Sequence, residues 1–154
     1  MKKTAAQLAF EKGNGWGGKR RGAGRPNKSG QVSHAKRETV KSTTPLHLTW
    51  RLNGDFVNLR CGEAVEAFKM GAEGAKKFGL RVVHYSIQSN HVHLFVEAGD
   101  NLELDRGMRS FGCRFGKAIR KIAGGSGPVF DGRYDLHVLT NPTETKRALG
   151  YVLQ

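Results

Sequence analysis

Two histidines one residue apart, His91 and His93, lie in the run Tyr85-Ser86-Ile87-Gln88-Ser89-Asn90-His91-Val92-His93-Leu94-Phe95-Val96-Glu97, and Tyr151 stands in Leu149-Gly150-Tyr151-Val152-Leu153-Gln154. Residues two apart on a strand project from the same face, so the two imidazoles would stand side by side while Val92, Leu94 and Val96 pack beneath the sheet. Such a pair suits ligation of a divalent cation, although strand histidines are also found merely hydrogen-bonded. A helical tyrosine is most often a packing residue with its hydroxyl at the edge of the core. The combination has a sharper reading. A free phenol is largely protonated at neutral pH, and a phosphodiester repels an attacking anion. A cation held by neutral imidazoles and an amide oxygen can bind a non-bridging oxygen, orient the phosphate in line and offset the developing charge. Attack by Tyr151 would then conserve the bond energy as a phosphotyrosine, which a DNA 3′-hydroxyl can reverse without ATP.

The elements that must position these residues follow from periodicity. Leu46, Leu48, Trp50 and Leu52 alternate with His47, Thr49 and Arg51, a half-buried strand beginning near Thr44. Asn53-Gly54 signals a tight turn, and Val65, Phe68, Ala72 and Ala75 recur at helical spacing over 62–78. Runs 80–88 and 91–97 predict adjacent antiparallel strands, both central, joined through Ser89-Asn90. Over 102–122 the residues Leu104, Met108, Phe111, Phe115, Ala118, Ile119 and Ile122 form one helical stripe, with Arg106, Arg109, Arg114, Lys117, Arg120 and Lys121 opposite. That charged side is either a solvated face or a surface that tracks phosphates. A short strand over 134–139 precedes a last helix, for which Asn141 is the N-cap, Pro142 the first-turn residue and Glu144 the capping-box acceptor. This order describes an α+β fold: a ferredoxin-like antiparallel sheet with helices on one face, plus a C-terminal helix carrying the tyrosine.

Composition bounds the partners. The 154 residues suffice for one domain with a real core, and the net charge is +13. Residues 1–43 hold 11 Lys and Arg against two Glu, so +9 of that charge sits in a Gly- and Ser-rich stretch, expected to be a disordered basic arm ahead of a domain over 44–154. Such an excess favours a nucleic-acid partner, because each phosphate contact releases condensed counterions. No apolar run of membrane-spanning length occurs, and Gln7 and Glu11 interrupt what briefly imitates a signal peptide, so the expected compartment is the cytoplasm. Cys61 and Cys113 stand far apart, outside any CxxC pattern, which argues against a zinc knuckle or a disulfide framework.

Three blocks in this order, Ser89-Asn90-His91-Val92-His93-Leu94, Gly127-Pro128-Val129-Phe130-Asp131-Gly132-Arg133-Tyr134 and Ala148-Leu149-Gly150-Tyr151-Val152-Leu153, together resemble the REP-associated tyrosine transposases. These form part of the insertion-sequence 200-like, single-tyrosine branch of the HUH endonucleases, and the resemblance spans about 44–154. It implies a metal-dependent DNA endonuclease and strand transferase acting on single-stranded or hairpin DNA, with Mg²⁺ or Mn²⁺ as cofactor, His91 and His93 as ligands and Tyr151 as nucleophile. Such proteins usually carry a third ligand four residues past the tyrosine, at what would be position 155. Here Gln154, three residues on, is the candidate, and a domain truncated at its C-terminus is expected. The candidate DNA contacts are Arg106, Arg109, Lys117, Arg120, Lys121, Arg133, which by the resemblance borders the DNA, and Arg147, one turn before Tyr151. A monomer and a dimer exchanging helices both fit. The competing readings are a non-catalytic nucleic-acid-binding module of the same fold and a water-activating hydrolase built on the histidine pair and Glu97.

Overall fold

The computed structural model describes residues 37–54 and 58–152. Its elements run β1 (Leu46–Arg51), α1 (Gly62–Lys76), β2 (Arg81–Ile87), β3 (His91–Glu97), α2 (Asn101–Ala123), β4 (Asp135–Val138) and α3 (Pro142–Val152). The strands form one antiparallel sheet in the order β2-β3-β1-β4. This is the expected ferredoxin-like arrangement with an added C-terminal helix. One expectation is corrected: β3 and β1 are central, but β2 lies at an edge. Its burial pattern shows why, since no residue from Arg81 to Ile87 is fully buried and a bulge between Val82 and His84 interrupts its ladder.

Alternation along β1 and β3 builds two distinct layers. Leu46, Leu48 and Trp50 stand opposite Val96, Leu94 and Val92 and face α1 and α2, whose Phe68, Leu104, Met108, Phe111 and Phe115 complete the main core. On the other face, Phe95 packs with Leu139 and with Ala148, Leu149 and Val152 of α3. Both sides of β3 are therefore covered, and its middle five residues, His93 included, are buried. Ile122, at the end of the expected stripe of α2, remains 46% exposed.

Local chemistry sets the helix ends. Asp100 caps α2 by accepting from the backbone N–H of Glu103 at 2.8 Å, while Glu103 accepts from Gly99 at 2.7 Å. In α3 the expected Asn141 cap forms, its Oδ1 accepting from the Glu144 N–H at 2.8 Å. Glu144 reaches back to the N–H of Thr140 at 3.1 Å, one residue earlier than a regular capping box.

Packing begins earlier than the boundary expected at Thr44. Val40 is buried and donates its N–H to Asn101, and the Arg37 guanidinium lies 3.6 Å over the Tyr134 ring. The rest of the expected arm, 1–36, lies outside the described residues. The loop 127–134 docks on the end of β1: Phe130 stacks on Trp50 at 3.7 Å, the Trp50 Nε1–H donates to the Gly132 carbonyl, and Tyr134 is buried. Among the described residues, no helix is long and apolar enough to cross a membrane.

Two glycines separate close packing from backbone freedom. A Cβ at Gly107 of α2 would lie 2.3 Å from the Leu80 Cβ, whereas one at Gly150 of α3 would meet nothing within 4 Å. Gly107→Ala should therefore destabilise the fold by about 1–3 kcal/mol through overpacking. Gly150→Ala should stabilise it by about 0.5–1 kcal/mol through helix propensity. Urea unfolding followed by circular dichroism measures both, and equal effects of the two substitutions would contradict this packing.

Candidate metal and tyrosine site

The site is built on the α3-covered face of the sheet. Pairing places Arg51 opposite His91, Thr49 opposite His93, and His47 opposite Phe95, with His137 of β4 on the other side of His47. A row of imidazoles thus crosses three strands. His91 and His93 present their Nε2 atoms to each other at 3.0 Å. The outer nitrogen of each has its own partner: His91 Nδ1 lies 2.7 Å from the Asn90 carboxamide oxygen, and His93 Nδ1 lies 3.1 Å from Thr49 Oγ1 and 3.2 Å from His47 Nε2.

Helix α3 is held over this row at both ends. Near its start Glu144 receives the Nε2 of His137 at 2.6 Å, and near its end Ala148, Leu149 and Val152 pack on Phe95 and Leu139. Glu144, Arg147, Ala148 and Tyr151 recur at helical spacing and line one groove of about 530 Å³ with His47 and His137. Tyr151 stands edge-on to His93, ring centroids 5.7 Å apart at 84°, and remains 69% exposed. Its phenol is not sequestered in apolar packing.

The donor set fits one divalent ion in part. Adjacent ligands of a six-coordinate ion, each about 2.1 Å from it, lie about 3.0 Å apart, which is the separation of the two Nε2 atoms. Gln154 lies outside the described residues, and among the described residues no group of three or more His, Cys, Asp or Glu is arranged to hold a metal. The two imidazoles therefore leave coordination positions for an amide oxygen, water or phosphate oxygens.

The cations expected to contact DNA divide between the layers. Arg147 lies in the tyrosine groove. Arg106, Arg109, Lys117, Arg120 and Lys121 are exposed on α2, across the sheet from the imidazoles. Arg120 donates to the Gly127 carbonyl at 2.6 Å, and Arg133 sits in the loop before β4. Glu97 closes the opposite end of β3, where Arg81 forks onto it, Nε at 3.0 Å. That placement takes Glu97, the carboxylate of the water-activating reading, away from His91 and His93. Tyr134 is held away from solvent, its hydroxyl pushed up to about 12 chiefly by burial.

Sequence reasoning did not identify His47, Thr49, Arg51, Asn90, His137 or Glu144 as members of this site. The outward alternation of His47, Thr49 and Arg51 was visible in β1, but the register that sets them against His91 and His93 is a long-range property.

Burial disfavours a proton on His47, His91 and His93. Loss of hydration, then the neighbouring His91 and His47, pushes His93 from its ordinary 6.5 to about 4. His91 is lowered by burial and by Arg51, and His47 by burial and by His137. Below its ordinary value, an unfolded His93 gains a proton that the folded one resists, so folding stability falls with pH between 6.5 and about 4. With His93 only 6% exposed, its share of the loss from pH 7 to pH 5 should be about 2 kcal/mol. Denaturant unfolding in the presence of chelator should show this slope, and His93→Gln should flatten it. A slope unchanged by that substitution would contradict the assignment.

Two solved structures share the fold. A REP-associated tyrosine transposase bound to a REP hairpin matches over 79% of this chain and 70% of its own, with TM-score 0.55 and 14% identity. A protein assigned as a transposase from Deinococcus radiodurans R1 matches over 79% of this chain and 95% of its own, with TM-score 0.53 and 12% identity. Neither a family model nor a curated protein matches the chain. The sheet order, the two-layer packing and the C-terminal helix give this chain the fold of a REP-associated tyrosine transposase, the family that its three motifs resemble.

Proposed function

We propose that this chain is a DNA endonuclease and strand transferase that cleaves single-stranded or hairpin-forming DNA through a 5′-phosphotyrosine. The observation that carries the reading is the exposed Tyr151 standing edge-on to His93, whose Nε2 lies 3.0 Å from that of His91. The likeness to a transposase bound to a REP hairpin supports the choice of substrate class.

In this reading His91 and His93 hold Mg²⁺ or Mn²⁺ through their Nε2 atoms, with Gln154 as a further ligand. The ion supplies Lewis-acid polarisation of a non-bridging phosphate oxygen. Tyr151 Oη forms a bond to phosphorus as the bond to the 3′-oxygen of the preceding nucleotide breaks. The phenolic proton passes to solvent, which reaches the exposed hydroxyl, and the departing oxygen takes a proton to become a free 3′-hydroxyl. A 3′-hydroxyl attacking the phosphotyrosine reverses the step and joins strands without an external energy source. In this reading Arg147, which shares the groove with Tyr151, and Arg51, opposite His91, hold the phosphates flanking the scissile one. The cations of α2 and Arg133 serve a separate stretch of the same DNA.

Incubation of the protein with Mn²⁺ and an end-labelled hairpin oligonucleotide should yield a covalent adduct on a denaturing gel. Tyr151→Phe and chelator should each abolish it. His93→Ala should slow adduct formation by more than the ~10–100-fold typical of losing only a partner of a metal ligand. An adduct surviving Tyr151→Phe would refute the nucleophile. Tight hairpin binding with no adduct under either ion would select the non-catalytic binding module. Replacing Lys117 and Lys121 with Gln should reduce the slope of log affinity against log salt by roughly 1.4–1.8, at about 0.7–0.9 per phosphate contact. The adduct rate at saturating DNA should stay unchanged, and filter binding over a salt series reads the slope.

A further inference from the structure

An arginine only donates hydrogen bonds, so it fixes the direction of any relay of bonds that begins at its guanidinium. One such relay runs along β2 beside the histidine pair. Arg60, two residues before α1, donates through Nη2 to the Gln88 carboxamide oxygen at 2.6 Å. Gln88 must then turn its Nε2 towards Ser86, where it donates to Oγ at 2.9 Å. Ser86 spends a lone pair on that bond and keeps its own proton to give, and among the described residues the hydroxyl has no acceptor.

Register shows where that proton is offered. Ser86 stands opposite His93 on β2, as Thr49 does on β1, and residues paired across antiparallel strands share a face. Ser86 is therefore on the face that carries the imidazoles. Helix α3 lies towards the other edge of the sheet, its groove lined by His47 of β1 and His137 of β4. The segment bearing Arg60 is anchored independently of the arginine, since Leu59 is buried and donates its N–H to the Ser89 carbonyl at 3.0 Å. The Arg60 side chain stays exposed, without a carboxylate partner among the described residues. An oriented cation and a serine donor thus stand at the two ends of one carboxamide.

We propose that Arg60 and Ser86 form a phosphate subsite on the β2 side of the histidine pair, with Gln88 as the positioning residue that holds both. A phosphodiester supplies what the two lack, a negative charge for the guanidinium and an acceptor for the hydroxyl. A strand gripped by Arg147 at α3 then crosses the imidazoles and leaves over β2 with a later phosphate in this subsite. The subsite deepens the nuclease reading, on which it rests for the choice of DNA, but it requires binding and no bond cleavage.

Binding is therefore measured on the full chain carrying Tyr151→Phe, with hairpin oligonucleotides in which one phosphate at a time is an uncharged methylphosphonate. Fluorescence anisotropy should show a penalty of about tenfold where the neutral linkage falls in the subsite, the worth of one hydrogen bond to a charged group. Adding Arg60→Gln should abolish the penalty at that position and leave the penalties elsewhere intact. Ser86→Ala and Gln88→Leu should reduce it at the same position, and Arg60→Lys should retain part of it. A purely structural tie between Arg60 and the β2–β3 hairpin gives another pattern, in which Arg60→Gln changes binding equally at every position or not at all. Either result overturns the proposal, as do Arg60→Gln and Ser86→Ala acting at different phosphates. Should Arg60→Gln not fold, Ser86→Ala and Gln88→Leu decide: one shared position supports the subsite, and none overturns it. Position-specific loss with no adduct from the chain that keeps Tyr151 removes the nuclease reading and leaves the subsite standing. Adduct formation with no such position removes the subsite alone.

Discussion

A buried imidazole must have both nitrogens satisfied, and His93 sits 6% exposed on a strand covered on both faces. That constraint organises the site. The strand cannot let His93 turn to water, so the neighbouring strand supplies Thr49 and His47 on one side of the ring, and His91 takes the other. The same burial that disfavours a proton on His93 keeps a lone pair available to a cation. A more exposed strand would leave the two imidazoles free to rotate apart.

Covering that face is the task of α3, and the helix does so with its apolar residues while holding its tyrosine at the rim. Phe95 and Leu139 accept Val152, Leu149 and Ala148, which places Tyr151 beside His93 rather than over the core. Glu144, one end of the same helix face, ties the start of α3 to β4 through His137. Attachment at both ends limits how far the phenol can drift from the imidazoles. The open-sheet platform used by many ferredoxin-like RNA binders is absent from this face, because α3 lies on it.

The sequence made the elements legible where periodicity was strong. The stripe of α2, the Asn141 cap and the alternation of β1 and β3 each depend on neighbours in sequence, and each is found in the fold. The pair His91 and His93 was legible for the same reason, being two positions of one strand. What stayed hidden is set by pairing across the sheet. Nothing local to His47 states that β1 will run beside β3 in the register that brings its Nε2 to His93, and the edge position of β2 depends on the chain order of the whole sheet. The basic face of α2 was visible as a stripe. Its separation from the imidazoles by the thickness of the sheet was not, because a stripe carries no information about which layer it crowns.

The account stands on two imidazole nitrogens and a phenol meeting at one cation. Crystals grown with Mn²⁺ and measured at the manganese absorption edge test it most directly. The account predicts one anomalous peak about 2.1–2.3 Å from Nε2 of both His91 and His93, with the Tyr151 hydroxyl turned towards it. A peak elsewhere, or His91 and His93 still sharing a proton across their Nε2 atoms with Mn²⁺ in excess, would contradict it.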